Sequence, residues 1–274
     1  MSKTLLALAC TLAITALPRV AQADDAAAAA PADPLSFNIG VVTDYRYRGI
    51  SQTHLKPALQ GGIDYAAASG LYVGTWMSNI QWIKDAGRAN GVDVGRSPVE
   101  WDLYGGYKGS INKDLTYDVG ALVYYYPTNH LGAVPDAANA DTAEIYGALT
   151  YSIVTVKYSH SVTNLFGFAN SKNSGYLEVA ANVDLGNGYS LAPHVGHQRV
   201  AGTTPGGVDN GNYSYTDYSL TGAKDFGNGW VVSLAAIGTS TKTLASGAKA
   251  YAAANDPTND MGKATVVLGV KKTF

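Results

Sequence analysis

Residues 175–185, with the sequence GYLEVAANVDL, place apolar side chains at every second position. One face carries Leu177, Val179, Ala181, Val183 and Leu185, and the other carries Tyr176, Glu178, Ala180, Asn182 and Asp184. Successive side chains of a β-strand point to opposite faces of the sheet, so a period of two is typical of a strand. This segment therefore predicts a strand with one apolar face and one polar face.

The same alternation recurs along the chain from residue 35 to its last residue. It is found in twelve segments: 35–46, 57–66, 71–78, 99–109, 114–126, 141–151, 153–163, 175–185, 188–198, 213–226, 229–239 and 262–274. Many short alternating segments separated by turn residues predict an all-β fold.

The connections between these segments alternate in length. The short ones are 67–70, 110–113, 152, 186–187 and 227–228, and the longer ones are 47–56, 79–98, 127–140, 164–174, 199–212 and 240–261. In an up-and-down meander, alternate connections lie at opposite ends of the sheet. An even strand number with tight turns at one end is typical of a bacterial outer-membrane barrel whose termini are periplasmic. We therefore predict a transmembrane, antiparallel, up-and-down β-barrel of 12 strands over residues 35–274.

Alternating strands would also suit a soluble sandwich with its apolar side chains inside. Aromatic residues near the ends of the apolar faces favour the membrane, because such rings form girdles at the two bilayer interfaces. The predicted girdle contains Tyr45, Tyr65, Trp101, Tyr107, Tyr117, Tyr151, Tyr189, Trp230 and Phe274. Lys224 and Lys272 fall on apolar faces at the periplasmic end, where lysine can extend into lipid headgroups. The expected partners are therefore outer-membrane lipids and the barrel-assembly machinery, whose recognition signal the strand ending at Phe274 resembles.

The first 34 residues are expected to lie outside the barrel. Residues 1–23 have a positive start, an apolar run and the small-x-small sequence Ala21-Gln22-Ala23, which together predict a cleaved signal peptide. Cleavage before Cys10 as a lipoprotein is disfavoured, because it would leave too short an apolar run. Residues 24–34 are rich in Ala and Pro and predict a flexible segment. Since Cys10 is the one cysteine of the chain, no disulfide framework is expected.

Charge and motif content exclude several classes of function. Without Lys3 and Arg19 of the signal peptide, 17 basic residues face 21 acidic ones, so nucleic acid is not an expected partner. His194 and His197 fall on opposite faces of one strand, which is unsuitable for a shared metal site. His160 and Ser161 also fall on opposite faces, which is unsuitable for the catalytic pair of a hydrolase. We therefore expect no catalytic residues, no metal, no cofactor and no enzymatic activity. The sequence does not indicate an oligomeric state.

The polar faces of the strands carry many charges, which we expect to line the lumen. The predicted set is Asp44, Arg46, Arg48, Asp64, Glu100, Asp102, Lys108, Asp118, Glu144, Lys157, Glu178, Asp184, Asp217, Asp225 and Lys271, with ten acids and five bases. Such a wall either lines a water-filled pore or pairs into a salt-bridged plug, and a 12-stranded lumen admits both. If the pore is open, the acidic excess predicts a weak preference for cations.

The stretch DYRYRGISQT, residues 44–53, is predicted to form the outer rim of the first strand. Its alternation would direct Tyr45 and Tyr47 toward headgroups and Arg46 and Arg48 toward water, with Gly49 turning the chain into the first outer loop. The two arginines would either attract anions at the outer mouth or pair with wall acids and brace the barrel.

Four stretches resemble a known family. DYRYRGISQT at 44–53, PALQGGIDY at 57–65, SGLYVGTWMSN at 69–79 and DYSLTGAKDFGNGWVVSLAAIGT at 217–239 are similar to the TorF-type porins, also called Gcw_chp proteins. This resemblance implies a β-barrel in the outer membrane of a Gram-negative bacterium, and it implies little about the solute.

The expected function is a porin-like channel for passive diffusion of small hydrophilic solutes or ions. The alternative is a closed structural or adhesive barrel without transport activity. The six longer loops are short for an adhesin, which favours the channel.

Overall fold

Twelve strands pair into one closed antiparallel sheet in the computed structural model, which describes residues 33–253 and 256–274. The strands are β1 (Leu35–Val42), β2 (Ala58–Ala66), β3 (Leu71–Asn79), β4 (Val99–Ser110), β5 (Leu115–Tyr125), β6 (Thr142–Tyr151), β7 (Val154–Ser161), β8 (Gly175–Ala181, continued after Asn182 by Val183–Gly186), β9 (Tyr189–Arg199), β10 (Tyr215–Gly227), β11 (Trp230–Thr239) and β12 (Thr265–Thr273). The predicted signal peptide, 1–23, and most of the predicted segment 24–34 lie outside the described residues.

Each strand pairs with the next one along the chain, and β12 pairs with β1 to close the barrel. At the closure, Asn38 lies opposite Thr273 and Val42 opposite Gly269. Closure leaves every wall strand with a neighbour on both sides, so the sheet has no open edge. The predicted 12-stranded up-and-down barrel is confirmed.

The outer face of the barrel is apolar and the inner face is polar. Leu234 and Leu268 pair on neighbouring strands and are both exposed on the outside, whereas the adjacent Ala235 and Val267 are buried inside. Charged side chains such as Glu100 and Asp217 are buried on the inner face. A soluble protein buries its apolar residues and exposes its charged ones. The opposite arrangement is found here and is typical of a barrel whose outer face contacts lipid.

Two tight turns share the sequence pattern Asp-x-Gly-Asn-Gly, at 184–188 and 225–229. Both central asparagines and all four glycines have positive φ angles. The carboxylate of Asp184 accepts a hydrogen bond from the Gly186 amide at 2.8 Å, and that of Asp225 from the Gly227 amide at 2.7 Å. These two aspartates therefore stabilise turns at one end of the barrel.

The longer connections carry structure that the alternation did not predict. Between β3 and β4 lies helix α1 (Trp82–Asn90), which ends at Gly91 in a left-handed conformation. Two 3₁₀ helices, Leu131–Ala133 and Asn210–Tyr213, and two short ribbons occupy other connections. One ribbon pairs Ala252–Ala253 with Asp256–Asp260, and the other pairs Arg46–Tyr47 with Ile50–Ser51. No helix in the described ranges is long and apolar enough to cross a membrane.

Candidate functional site: the barrel interior

The ribbon at residues 46–51 folds into the barrel, and we call it the lumen hairpin. β1 ends at Val42, and the last wall contacts of this segment are two hydrogen bonds between Thr43 and Leu268. At the tip of the hairpin, Arg48 has φ 46° and Gly49 has φ 79°. Positive φ at both central residues of a two-residue loop is typical of a type I′ turn, which joins tightly paired strands. The chain therefore leaves the barrel wall after β1 and forms a separate hairpin with a tight turn at Arg48 and Gly49.

Arg48 reaches the wall opposite the root of the hairpin. Its guanidinium donates two parallel hydrogen bonds to Glu144 on β6, at 3.0 and 2.7 Å, and one to Gln198 on β9, at 2.6 Å. The same group lies 4.2 Å above the ring of Tyr176 on β8. Bidentate carboxylate pairing and stacking on an aromatic ring are the two interactions for which a planar guanidinium is best suited. The tip is thus held by three strands.

Gly49 lies against the wall on the other side of the tip. A side chain at this position would meet Thr239 Cγ2 at 2.5 Å and Asp217 Cβ at 2.9 Å. Glycine is therefore required here both for its positive φ and for the close approach to β10 and β11.

Replacing Gly49 by alanine should lower the free energy of unfolding by about 2–4 kcal/mol, through backbone strain and overlap with Thr239. Gly247→Ala is the matched control, because Gly247 also has a positive φ of 84° but has no atoms within 4 Å of the added Cβ. The control should cost only about 1 kcal/mol of strain. Urea unfolding of the refolded protein in detergent measures both, and equal costs would contradict the contact with the wall.

Arg46 anchors the root of the hairpin and is fully buried. Its Nε donates to Asp44 at 2.5 Å, and its Nη1 donates to the carbonyl oxygens of Gly49, Met261 and Lys263. Residues 261–263 lead directly into β12, so Arg46 joins the hairpin to the last strand of the barrel. Arg46 and Arg48 are both braced by acids in this structure.

Tyr45 and Tyr47 lie inside the barrel, so their predicted orientation toward headgroups was wrong. Tyr45 is 0% exposed, and its hydroxyl donates to Glu100 at 2.5 Å. Tyr47 packs edge-on against Tyr124 and Phe166. The prediction extended the parity of β1 to residue 48, but the strand ends at Val42 and the alternation ends with it.

A packed layer fills the outer part of the lumen on the side of β3 to β5. Glu100 accepts hydrogen bonds from the hydroxyls of Tyr45 and Tyr126, at 2.5 and 2.8 Å. The Tyr45 ring also packs edge-on against Trp76, at 5.4 Å between centroids. Asp102, two residues after Glu100 on β4, is buried beside this layer, and its Oδ1 lacks a hydrogen-bond partner. The segment that leads into the hairpin is therefore held against this wall as well.

Between the hairpin and the tight-turn end, the barrel contains a cavity of about 120 Å³, which we call the inner chamber. Its lining includes Arg48, Asp64, Tyr72, Tyr104, Lys108, Asp118, Tyr124, Tyr146, Lys157, Tyr176, Glu178, His194 and Asp217. Tyr104 donates to Asp64 at 2.5 Å, and Tyr72 donates to Asp118 at 2.6 Å. Tyrosine hydroxyls thus satisfy two acids of the chamber wall.

The lysines of the inner chamber are paired more loosely than the arginines above them. Lys108 Nζ lies 3.6 Å from Asp118, and Lys157 Nζ lies 4.0 Å from Glu178. The Lys108 ammonium group lies over the ring of Tyr72, and the Lys157 ammonium group lies over the ring of Tyr146. Because these side chains are about one quarter exposed, their charges face the space of the chamber.

His194 joins two further acids of the chamber. Its Nε2 lies 3.1 Å from Glu178 and its Nδ1 lies 3.4 Å from Asp217. Asp217 also accepts a hydrogen bond from Tyr176 at 2.9 Å, the residue whose ring lies under Arg48. This network links the chamber wall to the tip of the hairpin.

The predicted lumen residues that line the inner chamber are Arg46, Arg48, Asp64, Lys108, Asp118, Lys157, Glu178 and Asp217. Asp44, Glu100, Asp102 and Glu144 are buried, Lys271 lies on β12, and Asp184 and Asp225 accept hydrogen bonds within the tight turns. His194 and five tyrosines of the chamber were not among the predicted site residues: Tyr72, Tyr104, Tyr124, Tyr146 and Tyr176. They could have been predicted, because they lie on the same strand faces as the predicted charged residues. On β4, for example, Tyr104 shares its face with Asp102 and Lys108.

Eight of the nine predicted girdle aromatics lie on the outer face, and Tyr45 is the exception. They are Tyr65, Trp101, Tyr107, Tyr117, Tyr151, Tyr189, Trp230 and Phe274. Lys224 lies 4.2 Å over Tyr189 and donates to the Asn187 carbonyl, whereas Lys272 lies 5.5 Å over Trp230 and donates to the Asn228 carbonyl. Both lysines therefore extend toward the tight-turn end of the barrel.

Solved porins share this architecture. The KdgM porin in complex with disordered oligogalacturonate superposes with a TM-score of 0.52 at 8% identity, covering 88% of this chain and 98% of that one. A second KdgM porin structure gives 0.50 at 8% identity, covering 87% and 99%, and the NanC porin gives 0.50 at 9%, covering 88% and 98%. Identities this low establish the fold alone, which is that of a small outer-membrane porin.

Comparison of the sequence itself gives a family. None of the curated proteins matches the chain significantly. A family model described as "Bacterial protein of unknown function (Gcw_chp)" matches residues 25–274. Because this match spans nearly the whole chain, the protein belongs to the Gcw_chp family.

Proposed function

We propose that this protein is a channel of the bacterial outer membrane that passes small hydrophilic solutes or ions by passive diffusion. The observation that carries the proposal is the inner chamber, a polar space with charged walls inside a barrel whose outside is apolar. Interiors of this kind are characteristic of barrels that hold water. The proposal assigns the protein no catalytic activity.

The proposed topology follows from the asymmetry of the two ends. The termini and tight turns face the periplasm and the longer connections face the exterior, as in other barrels with this loop pattern. Residues 1–23 would direct export. Lipids would cover the apolar face between the aromatic girdles, and the barrel-assembly machinery would recognise the strand that ends at Phe274.

A closed barrel with a structural or adhesive role is the second candidate. It is favoured by the tight packing around the lumen hairpin, where Arg46 and Tyr45 are fully buried. A closed barrel would need no chamber with partly exposed lysines, and therefore we favour the channel.

Planar-bilayer recording tests the proposal. Purified protein, folded as judged by heat-modifiable migration on a gel, should produce stepwise current increases as single barrels insert. The control is the same preparation after heat unfolding, which should give no steps. A folded protein that inserts without any current would support the closed barrel instead.

A further inference from the structure

The lumen hairpin and the preceding Tyr45 contact the barrel at several points around the lumen. In the hairpin, Arg46 bonds to the residues before β12, Gly49 abuts β10 and β11, and Arg48 bonds to β6 and β9. The preceding Tyr45 donates to Glu100 on β4. A solute entering from the outer loops therefore meets this segment before it reaches the inner chamber.

From these contacts we infer that the lumen hairpin is the constriction of the channel and that Arg48 is the residue that determines its width. This inference rests on the proposed function. The Arg48 guanidinium contacts β6, β8 and β9, and Arg48 lines the inner chamber. Glu144, Gln198 and Tyr176 act as positioning residues, because they hold Arg48 across the lumen.

Arg48 and Glu144 form a buried ion pair, so a test of the constriction has to change both residues. Removing Arg48 alone would leave Glu144 buried without its partner, which destabilises a protein through desolvation as well as through lost contacts. The double variant Arg48→Ala/Glu144→Gln removes the long side chain and the uncompensated charge together. Lys113→Ala is the matched control for the loss of a cation, since its side chain is 86% exposed in a tight turn.

The double variant should raise single-channel conductance by roughly twofold or more, because it removes the side chain that crosses the lumen. It should also admit, in liposome swelling, sugars that the wild type excludes. Lys113→Ala should match the wild type in both assays. A folded double variant with wild-type conductance and size limit, beside a conducting wild type, would overturn the inference and leave the proposed function intact.

Chemical modification of a cysteine at position 48 can restore a positively charged side chain there. In Arg48→Cys/Glu144→Gln, a cationic methanethiosulfonate reagent adds a positively charged group at position 48, and conductance should fall back toward the wild-type value. Lys113→Cys should not respond. A silent wild type with a conducting double variant would support the hairpin as the barrier while contradicting passive diffusion through the wild type. Silence of every folded variant would overturn both proposals.

Discussion

Replacing Glu144 by leucine should destabilise the barrel by about 3–5 kcal/mol, because it leaves the Arg48 guanidinium buried without its carboxylate. The two side chains are only 7% and 3% exposed, so the pair has little contact with water in the native protein. Gln198 and the Tyr176 ring would remain, but neither carries a negative charge. Urea unfolding of the refolded protein in detergent measures the effect.

The double variant Arg48→Met/Glu144→Leu is the control that identifies the cause. A buried ion pair replaced by apolar side chains of similar volume often leaves stability nearly unchanged, so this variant should recover most of the loss. Glu144→Gln should fall between them, since the amide still accepts a hydrogen bond. If the double variant is as unstable as Glu144→Leu alone, the loss comes from packing of β6 and not from an unpaired charge.

Replacing Leu234 by arginine should cost about 2–4 kcal/mol when the protein is folded in a lipid bilayer, the range for a charge at the midplane of a barrel's lipid face. Leu234 lies in the middle of β11, and its side chain is 55% exposed on the apolar outer face. In a soluble protein, an exposed leucine could be replaced by arginine at little cost. The measurement is the free energy of unfolding from phospholipid vesicles.

Val208→Arg is the matched control for Leu234→Arg. Val208 is also exposed and apolar, but it lies in the connection between β9 and β10, outside the wall. Its replacement should change stability by less than about 0.5 kcal/mol. Similar costs at the two positions would contradict a lipid environment for the outer face.

The wall of the barrel could be predicted from the sequence, because its information is local and repetitive. Twelve strands could be placed within a few residues of their observed bounds. The features that placed them are the period of two, turn residues such as those in DLGNG and DFGNG, and the alternating connection lengths. β4 is an example, predicted at 99–109 and observed at Val99–Ser110. Closure of β12 onto β1 follows from the even strand number and the need to pair both edges.

The path of residues 43–56 could not be predicted in the same way. The alternation of DYRYRG continues past Val42 in the sequence, whereas the wall pairing stops there and a second, independent strand pair begins at Arg46. A type I′ turn is usually signalled by Asn-Gly or Asp-Gly, and Arg48-Gly49 lacks that signal. The inward direction depends on partners far along the chain, such as Glu144, Gln198 and Met261.

The composition of the interior was partly predictable. Parity assigned Lys108, Asp118, Lys157 and Glu178 to the inner face, but it could not distinguish acids that face the chamber from those that brace a turn. Asp184 and Asp225 share the parity of the lumen residues, yet each carboxylate accepts from a glycine amide two residues later. A short-range hydrogen bond to the backbone decided their role.

The reversal potential of single channels in a salt gradient tests the proposed channel most directly, because it requires an open lumen and reports the sign of the lumen's charge. Without the two turn aspartates, the predicted lumen set retains eight acidic and five basic side chains. We expect stepwise currents whose reversal potential has the sign of a weak cation preference, and a stronger preference after Arg46→Ala with Arg48→Ala. An anion-selective reversal potential, or no current from folded barrels, would contradict a lumen with an acidic excess.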